Sequence, residues 1–308
     1  MQVFRGLPRA SARQPCALTI GNFDGVHRGH QALLARVVAA AAARGIAPAV
    51  MTFEPHPREL FAPQHAPPRI VGLRDKLDAM RAAGIDRVIV QHFNEAFASL
   101  TPEAFIATLV DGCRARWLLV GDDFRFGARR AGDFALLAQH AARGNFELEQ
   151  MPTLAEGGER ISSSAIRDAL GRGDLARAQH LLGRPYTISG HVLHGRKLGR
   201  ALGFPTLNLR IARHPALQGI LAVRVHGLGA ARAGVASIGQ RPTVDASGRW
   251  ELEVHLFDFD AETYGRCVSV EFVRKLRDER HFATLDELRA AIAADAAQAR
   301  AVLGLPTG

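Results

Sequence analysis

Up to about Leu182, apolar positions in this 308-residue chain fall in short unbroken runs separated by stretches of helical spacing. The runs Cys16–Ile20, Ala47–Phe53, Arg87–Gln91, Trp117–Val120 and Phe146–Met151 are mostly apolar without alternation, as strands buried on both faces of a parallel sheet must be. Between them, Gln31–Arg44, Leu73–Ala83, Pro102–Asp111 and Asp133–Arg143 read as helices. Thr101-Pro102 offers a capping hydroxyl followed by proline at the first helical position, and Gly45, Gly84 and Gly144 stand where helices end. Strand–helix alternation of this kind predicts a doubly wound α/β domain. Two further helices, around Ser164–Leu170 and Asp174–Leu182, lead to Gly183-Arg184-Pro185.

The period then changes. Tyr186–Val192, Leu221–Val225, Ala233–Ile238, Glu251–Phe257 and Val268–Val273 read as strands joined by glycine-rich turns, with no helix between them. That pattern predicts a small antiparallel barrel. Thr284-Leu285-Asp286-Glu287 is a capping-box sequence, and it opens an alanine-rich amphipathic helix running to about Val302. The domain boundary is expected at Arg184, giving domains 1–184 and 185–308.

Composition adds limits rather than detail. The length suffices for two cores, and nothing approaches the run of about 20 apolar residues that crosses a membrane. Met1–Arg13 alternates Arg and Pro with apolar residues and lacks the core of a secretory leader, so a cytoplasmic location is expected. Cys16, Cys113 and Cys267 are odd in number and form no CxxC pair, which argues against a disulfide framework or a zinc site. The formal charge of +9 invites a polyanionic partner, but lysine occurs only at Lys76, Lys197 and Lys275 and the arginines are spread along the chain. Small phosphorylated ligands therefore rank above nucleic acid.

Two stretches have the chemistry to hold phosphate. Gly21-Asn22-Phe23-Asp24-Gly25-Val26-His27-Arg28-Gly29-His30 follows an apolar strand and opens a helix, whose first N–H groups and positive dipole end favour an anion. It matches neither the Walker A pattern nor GxGxxG. Gly195-Arg196-Lys197-Leu198-Gly199-Arg200-Ala201-Leu202-Gly203 alternates glycines and cations ahead of Phe204-Pro205-Thr206-Leu207-Asn208. Alone, the first stretch is also what an ordinary turn carries, and the second is also what a solvated basic hairpin carries.

The HxGH element His27–His30 between strand and helix resembles the nucleotidyltransferase superfamily. Ile161-Ser162-Ser163-Ser164-Ala165-Ile166-Arg167 is similar to its second signature, although the serines serve equally as helix caps. Gly121-Asp122-Asp123-Phe124-Arg125-Phe126-Gly127 and Thr52-Phe53-Glu54-Pro55-His56-Pro57 end two more strands, where α/β proteins bind ligands. In this order the segments resemble the adenylyltransferase module of the bacterial bifunctional riboflavin kinase/FAD synthetase family. Phe204-Pro205-Thr206-Leu207-Asn208 is similar to that family's PTAN element, with Leu207 for the usual Ala. Ile238-Gly239-Gln240-Arg241-Pro242-Thr243-Val244, Glu251-Leu252-Glu253-Val254-His255 and Lys275–Phe282 resemble further kinase segments. Gly219-Ile220-Leu221-Ala222-Val223 departs from it, with Leu221 where a tyrosine is usual.

The resemblance implies an α/β nucleotidyltransferase domain, Rossmann-like and of HxGH type, followed by a small antiparallel β-barrel riboflavin kinase domain with a C-terminal helix. It implies that riboflavin and ATP give FMN, and that FMN and a second ATP give FAD. His27 and His30 would stabilise charge on the ATP phosphates, with Asn22, Asp24 and Asp123 shaping that site and Ser162, Ser164 and Arg167 holding the pyrophosphate. Phe53, Pro55, His56 and Arg125 would face the flavin there. In the kinase, Gly195, Lys197, Gly203, Thr206 and Asn208 would hold ATP, with Thr206 and Asn208 also on Mg²⁺. Glu253 would be the general base, Glu251 its neighbour without that role, and Arg277 and Phe282 the flavin side. The partners expected are these small molecules, without nucleic acid or membrane, and an oligomer is possible. Two other readings stay open: a different HxGH adenylyltransferase carrying an unrelated barrel, and a non-catalytic basic RNA-binding protein.

Overall fold

A computed structural model describes residues 1–156, 158–194, 203–240 and 250–306. The chain divides into two compact units, one of Met1–Pro67 with Lys76–Ile161 and the other of Pro68–Asp75 with Ser162–Gly308.

In the first unit, β1 (Gln2–Arg5), β2 (Cys16–Ile20), β3 (Ala47–Glu54), β4 (Arg87–His92), β5 (Ala115–Gly121) and β6 (Glu147–Met151) form one sheet in the order β1-β4-β3-β2-β5-β6. Every pairing in it is parallel. The helices are α1 (Arg28–Arg44), α2 (Pro57–Phe61), α3 (Leu73–Ala82, entering from the other unit's segment), α4 (Glu95–Ala98), α5 (Pro102–Ala107) and α6 (Phe134–Ala141). A short hairpin, β7 (Ala155–Glu156) and β8 (Glu159–Arg160), follows the last strand. All five residues of β2 are buried, as a central parallel strand requires. Cys16, Leu18, Ile20, Met51, Leu118 and Val120 pack with Phe105 and Ile106 of α5. Burial pushes the Cys16 and Cys113 thiols up to about 12, so both stay protonated and act as small apolar groups.

Strand β1 is not visible in the residue pattern. It sits at the sheet edge, three of its four residues are exposed, and only its backbone pairs with β4. The predicted helix over Pro102–Asp111 ends as a wider π turn over Thr108–Gly112.

The second unit opens with α7 (Ser163–Arg172) and α8 (Leu175–Leu182), the latter lying against the final strand. Strands β9 (Thr187–His191), β10 (Thr206–Ile211), β11 (Gly219–His226), β12 (Arg232–Gln240), β13 (Trp250–Leu256) and β14 (Cys267–Arg277) follow in the order β10-β13-β12-β11-β14-β9, all antiparallel. Leu193 N donates to Asn208 O at 2.8 Å, so the sheet nearly closes on itself as a barrel. The C-terminal helix, Leu285–Val302, is capped by Thr284 and packs on β11, β12 and β14. Leu221 is fully buried, which makes the departure from tyrosine a matter of core packing.

Candidate active sites

Strand order places the first site. From β2, β3 and β4 lie to one side and β5 and β6 to the other, so connections leave in opposite directions from the ends of β2 and β5. Ligands of open α/β sheets bind in the crevice at such a switch point, at the carboxyl ends of the strands. Residues Gly21–His27 leave β2, Asp122–Gly127 leave β5, and Pro55-His56 leaves β3, which pairs with β2. Three segments separated by up to 100 positions therefore open from the same edge of adjacent strands.

Within the β2 loop the backbone is forced into unusual shapes. Phe23, Gly25 and Val26 have φ of 47°, 91° and 42°. For a β-branched valine this is costly, and such conformations cluster where a ligand is gripped. His27 caps α1: its Nδ1 accepts the backbone N–H of His30 at 3.3 Å. A neutral His27 ring therefore carries its proton on Nε2. The two rings stack at 3.6 Å between centroids, and a Cβ on Gly29 would lie 3.2 Å from His27 Nδ1. Glycine between the histidines is what lets the first ring fold back over the helix start. Asp24 and His27 are buried, while Asn22 Oδ1 and His30 Nδ1 are buried atoms with no hydrogen-bond partner among the described residues. Such atoms need a partner, and a ligand can supply one.

Burial holds the His30 ring well below its ordinary 6.5, helped by His27 and by the Lys76 ammonium. It is therefore a neutral donor at physiological pH. An unfolded chain takes up a proton at this histidine below about pH 6.5 while the folded ring does not, so acidification favours unfolding. Stability of the first unit is expected to fall from pH 6.5 downward to the ring's own lower value. A His30→Gln variant should flatten that slope in thermal melts taken between about pH 7.5 and pH 5. An unchanged slope would assign the acid sensitivity elsewhere.

The other expected residues have partners of their own. His56 caps α2 with a capping box completed by Glu59. Phe53 joins Phe93 and Phe97 at 5.6 and 5.9 Å, and Phe61, 67% exposed, stands edge-on to Phe93. Asp123 pairs with Arg160 and Arg125 with Asp133, each at 2.9 Å and largely exposed. Exposed pairs of this kind are weak and exchange readily for a ligand. Ser162 caps α7 by accepting from Ala165 N, Ser164 is exposed, and Arg167 Nε donates to Pro68 O at 2.8 Å. Lys76 escaped the sequence reading. A lone lysine in an amphipathic helix is ordinarily solvated, yet this one is 1% exposed.

The barrel site rests on register. Thr206 and Asn208 occupy alternate positions of β10, half-buried, while Leu207 and Leu209 at the intervening and following positions point into the core. Leucine in place of alanine thus fills the apolar side and leaves the Thr/Asn face alone. Asn208 lies directly opposite Glu253, and Ser237 of β12 flanks Glu253 on the other side. Glu251 instead stands between Arg210 and Gly239. Directly opposite residues share a face, so Glu253 alone of the two carboxylates is set between the Asn208 amide and a hydroxyl. Asn208 Nδ2 donates to Thr206 O at 3.3 Å. His255, opposite Thr206, donates from Nδ1 to Pro205 O at 2.9 Å and braces the strand entry. Ser237 Oγ donates to Glu279 at 2.8 Å, a contact of the Lys275–Phe282 segment that the sequence does not reveal. Gly203 has φ of 89°, and Arg277 lies 5.8 Å over the Phe282 ring. Gly195 and Lys197 lie outside the described residues.

Comparison with known proteins bears on both halves. The FAD synthetase family model matches residues 9–165 and the riboflavin kinase family model matches residues 182–303. A bifunctional riboflavin kinase/FMN adenylyltransferase of Escherichia coli (strain K12) is 48% identical, covering 99% of each chain. Its counterparts in Pseudomonas fluorescens and Haemophilus influenzae are 46% and 45% identical over 98% of this chain. A crystal structure from Streptococcus pneumoniae, described as a macrolide-efflux protein, superposes with a TM-score of 0.74 over 96% of both chains at 28% identity. The efflux description belongs to that protein. No helix among the described residues is long and apolar enough to cross a membrane. Two family models in tandem and near-complete coverage leave one assignment: this chain belongs to the bifunctional riboflavin kinase/FMN adenylyltransferase family, and it is an enzyme that makes FMN from riboflavin and FAD from FMN.

Proposed function

We propose that the two activities divide at Arg184, although the helices α7 and α8 before it fall in the second compact unit, and that they are carried by the residues named above for each activity. The observation that carries this is the convergence of the β2, β3 and β5 exits at the switch point, together with the Asn208–Glu253 register in the barrel. In the kinase, the riboflavin 5′-oxygen attacks the γ-phosphorus of ATP and ADP departs. Glu253 takes the hydroxyl proton as the new bond forms, which a carboxylate can do because the hydroxyl becomes acidic only as the phosphoryl group arrives. Thr206 and Asn208 offer hard oxygen donors on one strand face, the kind that suits Mg²⁺ shared with substrate phosphates. When bound there, Mg²⁺ would neutralise charge on the transferring phosphate. Gly195, Lys197 and Gly203 wrap the nucleotide, the first two on the strength of sequence. Arg277 and Phe282 contact the flavin ring.

In the adenylyltransferase, an FMN phosphate oxygen attacks the α-phosphorus of ATP, and the bond to the β-phosphate breaks to release pyrophosphate. His27 donates from Nε2 and neutral His30 from a ring N–H to oxygens that gain charge in this step. Asn22, Asp24 and Asp123 shape the pocket, and Phe53, Pro55, His56 and Arg125 hold the flavin. Ser162, Ser164 and Arg167 take the pyrophosphate, a role assigned by sequence resemblance. No protein nucleophile enters, because positioning and charge stabilisation suffice. Consumption of ATP in both steps supports a cytoplasmic location.

Chromatography of flavins after incubation with riboflavin, ATP and Mg²⁺ tests the reading. FMN is expected first and FAD after it. FMN without FAD would remove the first site's assignment, and FAD made only from supplied FMN would remove the second's.

A further inference from the structure

The C-terminal helix buries a narrow stripe of small residues, and a carboxylate stands in the middle of it. Ala291 and Ala299 face the barrel one turn before and one turn after Asp295, whose side chain is 9% exposed. Around Ala299 pack Ala222, Val235, Phe257 and Leu276, all apolar. A carboxylate here must be paired, and its partner is Arg277, the last residue of β14. Arg277 Nε and Nη2 donate to the two Asp295 oxygens at 2.8 and 2.6 Å, and Nη1 donates to Asp278 O at 2.9 Å.

Stability alone is a weak reason for such a pair, since apolar residues of similar volume hold a helix as well. What a two-point arginine fork adds is direction: it sets the plane of the guanidinium. That plane matters here because the Arg277 guanidinium lies 5.8 Å over Phe282, with Arg280 at 4.9 Å from the same ring. A carboxylate 18 residues along the chain from Arg277 thus sets the orientation of two groups on the proposed flavin side. We infer that Asp295 is a positioning residue of the riboflavin kinase, holding Arg277 and through it Phe282 ready for the flavin ring. This rests on the reading above that Arg277 and Phe282 contact riboflavin.

The test is a double-mutant cycle on riboflavin affinity, read by quenching of flavin fluorescence in the full-length protein, with steady-state kinase kinetics alongside. Asp295→Asn should weaken riboflavin binding by about 10- to 100-fold and raise its KM in step, with the KM for ATP and the kcat at saturation changed less than about threefold. In an Arg277→Met background the same substitution should change affinity less than about twofold, because Asp295 acts only through the arginine. Equal loss in both backgrounds, or matching losses in kcat and in both KM values, would reduce Asp295 to a structural residue. Should Asp295→Asn fail to fold, the double variant Arg277→Met/Asp295→Leu leaves no orphaned charge inside. It should match Arg277→Met alone, and a further loss of affinity would overturn the inference. Failure of the underlying reading looks different: Arg277→Met itself would then bind riboflavin normally.

Discussion

Replacing both histidines, His27→Ala with His30→Ala, should cut FAD formation from supplied FMN by about ten-thousand-fold while leaving FMN formation from riboflavin within about twofold. On the proposed mechanism each ring is a donor held in advance at the start of α1, and donors of this kind are individually worth about a hundred- to a thousand-fold in transition-state stabilisation. The two rings stack at 3.6 Å and share one helix start, so their effects will not simply multiply. His27 also caps the helix, and losing a cap costs about 1 kcal/mol. A His27→Asn variant restores a capping oxygen without the imidazole, and it should recover stability but not FAD synthesis. Kinase turnover is the internal control. If FMN formation collapsed together with FAD formation in protein that still melts cooperatively, the assignment of one activity to each half would be wrong.

The second large effect separates two carboxylates that sequence places two residues apart. Glu253→Gln should lower riboflavin phosphorylation by about a thousand-fold, within the range for losing a positioned base, and leave adenylylation of supplied FMN intact. Glu251→Gln should cost only a few-fold by the same measure, since Glu251 lies opposite Arg210 rather than Asn208. Glutamine keeps size and hydrogen bonding, so the difference reports on proton acceptance. Both substitutions sit in β13, and a fold defect in that strand would affect the pair alike. Comparable losses from the two would mean that the barrel positions a different group as base.

Much of the architecture was open to reading because it is local. Apolar runs such as Cys16–Ile20 and Trp117–Val120 had to be strands buried on both faces, and glycines after the helices marked their ends. The loop Gly21–His30 was legible as phosphate chemistry because its residue types are needed within ten positions. What stayed hidden shares one cause. Strand β1 forms by pairing its backbone with β4, more than 80 residues away, and its side chains carry no signature of that pairing. Strand β10 carried its identity as a motif, and its place as a strand beside β13 came only from pairing.

The candidate sites divide in the same manner. Sequence by itself determined the two fold classes, the residue types able to hold phosphate and the pair of carboxylates from which a base is proposed, because periodicity and short motifs are properties of neighbouring residues. Tertiary structure alone decided that the β2, β3 and β5 exits share one sheet edge, and that Glu253 rather than Glu251 faces Asn208. It also buried Lys76, whose charge helps keep His30 neutral, and turned Asp295 inward onto Arg277. Strand order, register and the burial of a charge depend on partners far along the chain, and no local pattern of polar and apolar positions encodes which partner arrives.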